Sequence, residues 1–241
     1  MRIGEDYDKI EFELFGLDLV EPNAMIGDSV LFLTSLYFAY RVNKFDRNSP
    51  FFKMWMLFFV AFGFSFLFGG IGHTFFNYFD IPGKYPGWYM GIIAVIFIEL
   101  AMISIYPQKE KQRLFRSLTF LKFILAITGA TLVFALVDLQ PDPSVGLKVP
   151  SLNTFIGLVM ALGVLGRLYQ KYYTPGFKYH LLSLLVLLPT AVFQTFKIGL
   201  APWFDRNDLS HIFLLLSIIL YYKGVKDYHL SLDQQATVSV D

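Results

Sequence analysis

Seven long apolar stretches occupy most of the 241-residue chain, and they restrict its fold more than any other feature. A hydrocarbon core about 30 Å thick takes roughly 20 apolar residues in a helix, because no water is present there to satisfy exposed backbone groups. The sequence therefore predicts an all-α membrane protein, a single bundle of seven transmembrane helices. The predicted spans are residues 23–43, 51–76, 87–107, 115–138, 151–171, 177–200 and 208–226.

Composition agrees with this fold class and excludes several kinds of function. The mean hydropathy is +0.52 and only 16% of the residues are charged, values far from those of a soluble domain. The chain has no cysteine, which excludes disulfides, thiolate nucleophiles and cysteine-ligated metals. A net charge of +1, spread through short loops, excludes a nucleic-acid partner and leaves membrane lipid as the expected one.

The cations are sorted between the two sides of the predicted bundle. Six of the Lys and Arg residues and thirteen of the nineteen acidic residues fall on the side that holds the amino terminus. By the positive-inside rule, the amino terminus is outside and the carboxy terminus is cytoplasmic. The other fourteen cations are Arg41, Lys44, Arg47, Lys53, Lys109, Lys111, Arg113, Arg116, Lys122, Arg167, Lys171, Lys178, Lys223 and Lys226.

The chain divides into three parts. Residues 1–22 are predicted to form an extracytoplasmic segment, and their acidic residues rule out the basic start of a cleaved signal peptide. The alternation of apolar and acidic residues from Ile10 to Leu14 predicts either an extended interfacial strip or a loosely ordered acidic tail. Residues 23–226 form the transmembrane domain, and residues 227–241 form a cytoplasmic polar tail that is predicted to be disordered from residue 232.

Polar side chains within or beside the spans are the candidates for function, because each is unfavourable in hydrocarbon without a partner or a wet cavity. In the predicted orientation most of them share the outer ends of the helices. We therefore predict a polar pocket at the extracytoplasmic end of the bundle. Its candidate residues are Asp28, His73, Asn77, Lys197, Asn207, Asp208 and His211.

Each of these residues has a structural and a functional interpretation. His73 follows three glycines and is either a metal ligand or base, or a histidine hydrogen-bonded across a tight helix crossing. Asp208 and His211 are three residues apart and therefore share a helix face, where they could bind one metal. Alternatively, Asn207 or Asp208 caps the last helix and Asp28 caps the first.

Two further charged residues, Lys197 and Glu99, each have two interpretations. Lys197 either extends to the outer headgroups or pairs with Asp28 or Asp208. Glu99 lies near the middle of the third predicted span, too deep to reach an interface easily. It is either a neutral hydrogen-bonded side chain or part of a proton or ion path.

Four sequence segments carry a family resemblance: Glu21–Asp28, Gly72-His73, Asn207–His211 and Tyr222-Lys223-Gly224. On these segments the chain resembles an uncharacterised family of bacterial seven-helix membrane proteins, which implies a bacterial inner membrane. More remotely it is similar to the superfamily of alkaline ceramidases and progestin/adipoQ receptors. That similarity implies a zinc-dependent lipid amide hydrolase with its amino terminus outside the cytosol.

The chain departs from the superfamily pattern at two positions. Gly69 stands where the superfamily has a serine one turn before His73, and Asn207 stands where it has the first of two histidines in the last span. A hydrolytic zinc site would take two histidines and one carboxylate as its protein ligands. They are His73 and His211 with Asp28, Asp80 or Asp208.

Three hypotheses for function follow from these residues. The first is a metal-dependent hydrolase of a lipid amide or ester, with zinc as the cofactor at the outer pocket. The second is a protein that binds or transports an ion or small molecule, with Glu99 carrying a proton. The third is a membrane subunit without catalytic activity.

Overall fold

A computed structural model describes residues 1–46 and 48–238. Within this part the regular secondary structure is helical apart from one short hairpin and two isolated β-bridges. Arg47, one of the predicted cytoplasmic cations, lies outside the described residues, as do the last three residues of the predicted tail. The prediction of an all-helical fold class is confirmed.

Helices α1, α2, α4, α8 and α9, whose bounds are given below, begin within two residues of the predicted spans, whereas α5 and α6 begin six and seven residues earlier and α9 ends twelve residues later. Proline stands in the first turn of α1 and of α2, where its missing N–H has no helical partner to lose. Short 3₁₀ turns, Ile81–Lys84 and Pro175–Phe177, lead into α4 and α8, and a π-helical segment, Val159–Leu165, joins α6 to α7. The α-helices are α1 Pro22–Val42, α2 Pro50–Thr74, α3 Phe76–Phe79, α4 Tyr85–Ser104, α5 Lys109–Leu136, α6 Ser144–Leu158, α7 Gly166–Tyr172, α8 Lys178–Thr195 and α9 Arg206–Val238.

Six helical segments of the described chain are long and apolar enough to cross a bilayer. They support a multi-pass membrane protein and correspond to the second through seventh predicted spans. Helix α1 packs into the bundle and has 21 residues, but Asp28 and its hydroxyl side chains lower its hydropathy, and it is not among the six. The count of seven spanning helices therefore stays a prediction.

Helix α2 lies at the centre of the bundle, between α1 and α4, and α9 packs against α8 and α1. The core between them is aromatic. Phe51, Trp55 and Phe59 of α2 are fully buried, and Phe51 packs edge to face on Tyr228 of α9, with 4.9 Å between ring centroids. Helices α5 and α8 bury the smallest share of their surfaces, so their apolar side chains form the outside of the bundle.

A β-hairpin precedes α1. Strands β1 (Glu11–Leu14) and β2 (Leu17–Val20) pair antiparallel, and both residues of the turn, Phe15 and Gly16, have positive φ, as two-residue hairpins favour. Leu19 and Val20 are buried, which anchors the hairpin to the bundle. The extended alternative for this segment is confirmed. The end of the bundle that carries it, where α1, α4, α6 and α9 begin, is called the hairpin end below, and the opposite end is called the far end.

The carboxy-terminal segment differs from the prediction. Helix α9 continues through Val238, so residues 227–238 extend the last helix and do not form a separate disordered tail. The reason is packing in its later turns, since Tyr228 is 6% exposed and His229 stacks on Phe45 with 4.2 Å between ring centroids. Because this segment is polar, its sequence did not indicate these contacts.

Candidate functional site

A buried carboxylate and an imidazole meet at the hairpin end. Asp28 of α1 and His211 of α9 approach to 3.2 Å between Oδ1 and Nε2, and Asp28 is 5% exposed. Glycines make this approach possible. A Cβ on Gly27 would lie 2.3 Å from Nδ1 of His211, and a Cβ on Gly70 would lie 3.0 Å from Cβ of Asp28. Helices α1, α2 and α9 therefore enclose the pair.

The second nitrogen of His211 is the unusual feature of this pair. Nδ1 is buried and has no hydrogen-bond partner among the described residues. A crevice of about 320 Å³ reaches His211 between α1 and α9, with Ile26 and Val30 on one wall and Trp203 and Phe204 from the loop before α9. A polar atom is thus available beside an apolar opening.

A second imidazole at this end has a different partner. Nδ1 of His73, at the end of α2, lies 2.7 Å from Oε2 of Glu21, the residue before α1, and Lys9 lies 3.8 Å from the same oxygen. Burial acts to raise the pKa of Glu21, but the hydrogen bond to His73 and the charges of His73, Lys9 and Lys84 outweigh it and lower that pKa. Sequence analysis missed Glu21 as a partner because it lies outside every predicted span.

Asp208 has a structural role at the start of α9. Oδ1 of Asp205 accepts hydrogen bonds from the amides of Asn207 and Asp208, and Oδ2 of Asp208 accepts one from the amide of Asp205. This reciprocal arrangement is a capping box. The cap is therefore Asp205, and the prediction that Asn207 or Asp208 caps this helix was wrong. Asn23 of α1 also donates to Oδ2 of Asp208, at 2.7 Å.

The hairpin end is acidic as a whole. Burial raises the pKa of Asp205, and the nearby charges of Asp208 and Glu21 add to that shift against the lowering effect of its two amide hydrogen bonds. The side-chain oxygen of Asn207 accepts a hydrogen bond from Gln194 at 3.1 Å. Polar groups from α1, α8 and α9 thus meet here.

The remaining candidates bond elsewhere. Asp28 lies in the second turn of α1, so it does not cap that helix. Lys197 pairs with Asp6 at 3.6 Å and not with Asp28 or Asp208. Asn77 donates to the backbone of Asp18 at 3.4 Å, and Asp80 accepts a hydrogen bond from Gln140.

The residues at the hairpin end do not assemble the metal site that the resemblance implies. A hydrolytic zinc site needs three protein ligands that converge on one point. Across residues 1–46 and 48–238, no three His, Asp or Glu side chains are grouped closely enough to hold a metal. His73 and His211 each pair with a different carboxylate. The zinc hypothesis stays a prediction, and no catalytic step is derived from it.

A second buried pair lies toward the far end. Oε2 of Glu99 on α4 is 2.9 Å from Nζ of Lys122 on α5, and Lys122 also donates to Oδ1 of Asn153 on α6 at 2.7 Å. Gly157 makes room for the pair, because a Cβ there would lie 2.2 Å from Val95 and 3.3 Å from both Glu99 and Lys122. The pair thus links three helices.

Lys122 corrects the sequence analysis, which counted it among the loop cations. It lies 13 residues beyond Lys109, inside the apolar part of α5. Glu99 also lies nearer the far end than predicted, because α4 ends at Ser104. The signal for this pair was available, since a carboxylate within an apolar span requires a countercharge.

Beside this pair lies a cavity with a volume of about 700 Å³. It runs between α4, α5 and the α6–α7 segment, and the π-helical turn forms one wall. Its lining is mostly apolar, with Lys122 in the middle of α5, Glu99 in the last third of α4, and Arg167 and Lys171 toward the far end. The apolar lining residues are Ile103, Phe115, Leu118, Ile156, Met160, Ala161, Val164, Leu165 and Leu168. This space is called the far-end cavity below.

Comparison with known proteins assigns a family without a function. No curated protein and no solved structure matches the chain. One family does match, over residues 24–229, a range that contains both members of the Asp28–His211 and Glu99–Lys122 pairs. No link to the ceramidase superfamily is found. Because the match covers most of its length, the chain belongs to the family described as Family of unknown function (DUF6962).

Proposed function

We propose that the protein binds a lipid-like amphiphile in the far-end cavity. The observation that carries this proposal is an apolar space of about 700 Å³ that ends at a buried ion pair. Binding sites for small molecules have volumes of this order, with mostly apolar walls and a few polar groups that fix the ligand's orientation. A protein with this function belongs to the class of binding or transport proteins.

The ion pair supports a functional use of the cavity. Two charges within an apolar span are unfavourable, and replacing such a pair by apolar residues is often neutral or stabilising, so stability alone does not account for it. Nδ2 of Asn153, which is 5% exposed, has no partner among the residues described. Asn153 does not itself line the cavity, so this unpartnered donor belongs to the surroundings of the ion pair.

The shape of the wall supports an amphiphile in particular. Leu118, Ile156, Met160 and Val164 line the cavity and are each 41–53% exposed, so the cavity opens on the side of the bundle. In a bilayer that opening faces lipid, and a ligand would enter from the membrane. The adjacent Val159–Leu165 turn agrees with this, because π-helical turns occur frequently at functional sites.

A matched pair of substitutions tests the proposal. Leu118 and Leu121 are both on α5 and both 53% exposed, but only Leu118 lines the cavity. We expect native mass spectrometry of the purified protein to show a bound amphiphile in the wild type and Leu121→Trp, and its loss in Leu118→Trp. Equal retention in the two variants would contradict the proposal, as would failure of every added amphiphile to raise the melting temperature.

For the topology we propose seven spanning helices in a cell membrane, the bacterial inner membrane, with the hairpin end outside. The charge distribution supports this orientation after Lys122 is set aside, since thirteen cations remain toward the cytoplasmic side against six toward the other. A reporter fused to the carboxy terminus should be active only in the cytoplasm. Activity on the outer face would overturn the orientation.

A metal-dependent lipid amide or ester hydrolase at the hairpin end is the second candidate. The unpartnered Nδ1 of His211 beside its crevice favours this candidate. Metal analysis of the purified protein, repeated on His73→Ala and His211→Ala, tests it. Stoichiometric metal in the wild type and its loss in both variants would support a metal centre, and a wild type without metal would remove it.

A further inference from the structure

We propose that the amphiphile is anionic, with an acid group that binds Arg167 and Lys171 at the far end of the cavity. This inference rests on the proposed binding function and adds the chemical class of the ligand. A long-chain carboxylate and a phosphate ester share the required chemistry. The apolar chain would lie along the wall toward the Glu99–Lys122 pair.

The cavity lining has a net positive charge. Four charged side chains line the cavity, one acidic and three basic. Glu99 and Lys122 neutralise each other at 2.9 Å, which leaves Arg167 and Lys171 as the net charge of +2. Two unpaired cations beside an apolar space favour an anionic ligand over a neutral one and disfavour a cationic one.

These two cations have hydrogen-bond donors that are free to bind an acid group. Arg167 and Lys171 are four residues apart on α7 and therefore share a helix face. Neither lies within 4.0 Å of a carboxylate in the described part of the chain. Arg167 donates to Oε1 of Gln170 at 2.9 Å, and the remaining guanidinium donors match the two oxygens of a carboxylate or phosphate.

The length of the cavity wall agrees with a ligand that has a long apolar chain. Ile156 and Lys171 mark the two ends of the lining on the α6–α7 segment, about 22 Å apart at 1.5 Å per residue. That length exceeds half of a hydrocarbon core about 30 Å thick. A chain held by its acid group at Arg167 and Lys171 would therefore follow the depth of one leaflet.

Cations on the cytoplasmic side are expected from topology alone, so position in the cavity is the distinguishing observation. Lys109 and Lys111 at the start of α5 are also exposed basic residues near the far end, but they do not line the cavity. They give a control with the same change of charge. A preference for anions that arises from surface potential would respond equally to both pairs.

Binding of matched ligands tests the inference. Palmitate is compared with cetyl alcohol, and dipalmitoyl phosphatidate with dipalmitoyl phosphatidylcholine, so that the first comparison reports a free acid and the second a phospholipid headgroup. We expect the anionic member of at least one comparison to bind about tenfold more tightly to the wild type. The Arg167→Gln/Lys171→Gln variant should lose this preference, and Lys109→Gln/Lys111→Gln should keep it.

These experiments distinguish failure of the anionic ligand class from failure of the proposed binding function. Equal binding of anionic and neutral ligands, blocked by Leu118→Trp, would overturn the anionic class and leave the cavity as a binding site. An anionic preference lost equally in both glutamine variants would also overturn it. No binding of any ligand would contradict the proposed function itself. If the glutamine variant fails to fold, the charge-conserving Arg167→Lys/Lys171→Arg variant must retain the preference.

Discussion

Individual residues in this bundle act as pairs held in place by glycines. Asp28 and His211 meet because Gly27 and Gly70 have no Cβ, and Glu99 and Lys122 meet because Gly157 has none. In each pair the two side chains come from different helices, so the contact fixes a helix crossing. Substitutions should therefore show coupling between the partners.

Removal of one partner of the Glu99–Lys122 pair should be more harmful than removal of both. Lys122→Met leaves a buried carboxylate without its cation, and we expect a loss of about 3–5 kcal/mol in the free energy of unfolding. The Glu99→Leu/Lys122→Met double variant should recover most of that loss. Thermal unfolding in detergent measures this, with exposed Lys148→Met as the control. Additive losses in the double variant would contradict the pairing.

Acid should destabilise the hairpin end through Glu21. The folded-state pKa of Glu21 is lowered from 4.5, because the His73 hydrogen bond and neighbouring cations outweigh burial. Its contribution to stability is therefore complete above pH 4.5 and is lost as the pH falls through the lower folded-state value. The melting temperature should fall more steeply with acid in the wild type than in Glu21→Gln. Identical profiles would contradict this assignment.

The sequence predicted single site residues better than their partners. Asp28, His73, Asp208 and His211 do lie at one end of the bundle, because depth in a membrane can be inferred from position within a span. Pairing depends on the rotation of each helix about its axis, which near-uniform apolarity leaves undetermined. That is why the sequence did not indicate that Asp28 faces His211 or that Lys122 faces Glu99.

Among the elements, the helices were predictable and the irregular segments were not. Long apolar runs closed by Pro, Gly and Asn predicted the starts of α2 and α9 within two residues of those observed. Helix α5 begins six residues earlier than predicted, at Lys109. The π-helical turn packs against α4 and α8, and no local sequence pattern marked it. Gly157 and Gly163 were visible only as small residues that favour close packing.

The contact between α6 and α4 should be intolerant of a single methyl group. Gly157→Ala places a Cβ 2.2 Å from Val95 and 3.3 Å from the ion pair, and we expect a loss of about 1–3 kcal/mol of stability. Gly91→Ala is the matched control, because it lies within α4 with nothing within 4 Å of its Cβ. That variant should be neutral or more stable, since alanine favours a helix. Similar melting temperatures for the two would contradict this packing.

At the scale of the whole molecule, polar chemistry divides between the two ends. The hairpin end carries an acidic cluster with two histidines, and the far end carries an apolar cavity with an excess of cations. In the proposed orientation the first faces outward and the second opens toward the cytoplasmic leaflet. Sequence patterning predicted the first from the depth of its residues. The cavity lies between α4, α5 and the α6–α7 segment, and no sequence pattern marked it.

Photolabelling in a bilayer tests the far-end cavity most directly. The wild-type protein is reconstituted with a long-chain carboxylate that carries a diazirine near its chain end, irradiated, and mapped by peptide mass spectrometry. Adducts should concentrate on Leu118, Met160 and Val164, well above the level on Leu121 and Leu125, which are exposed on the same bundle surface but do not line the cavity. Equal labelling of both groups would show that the ligand contacts the protein only as surrounding lipid, and would contradict a binding site in the cavity.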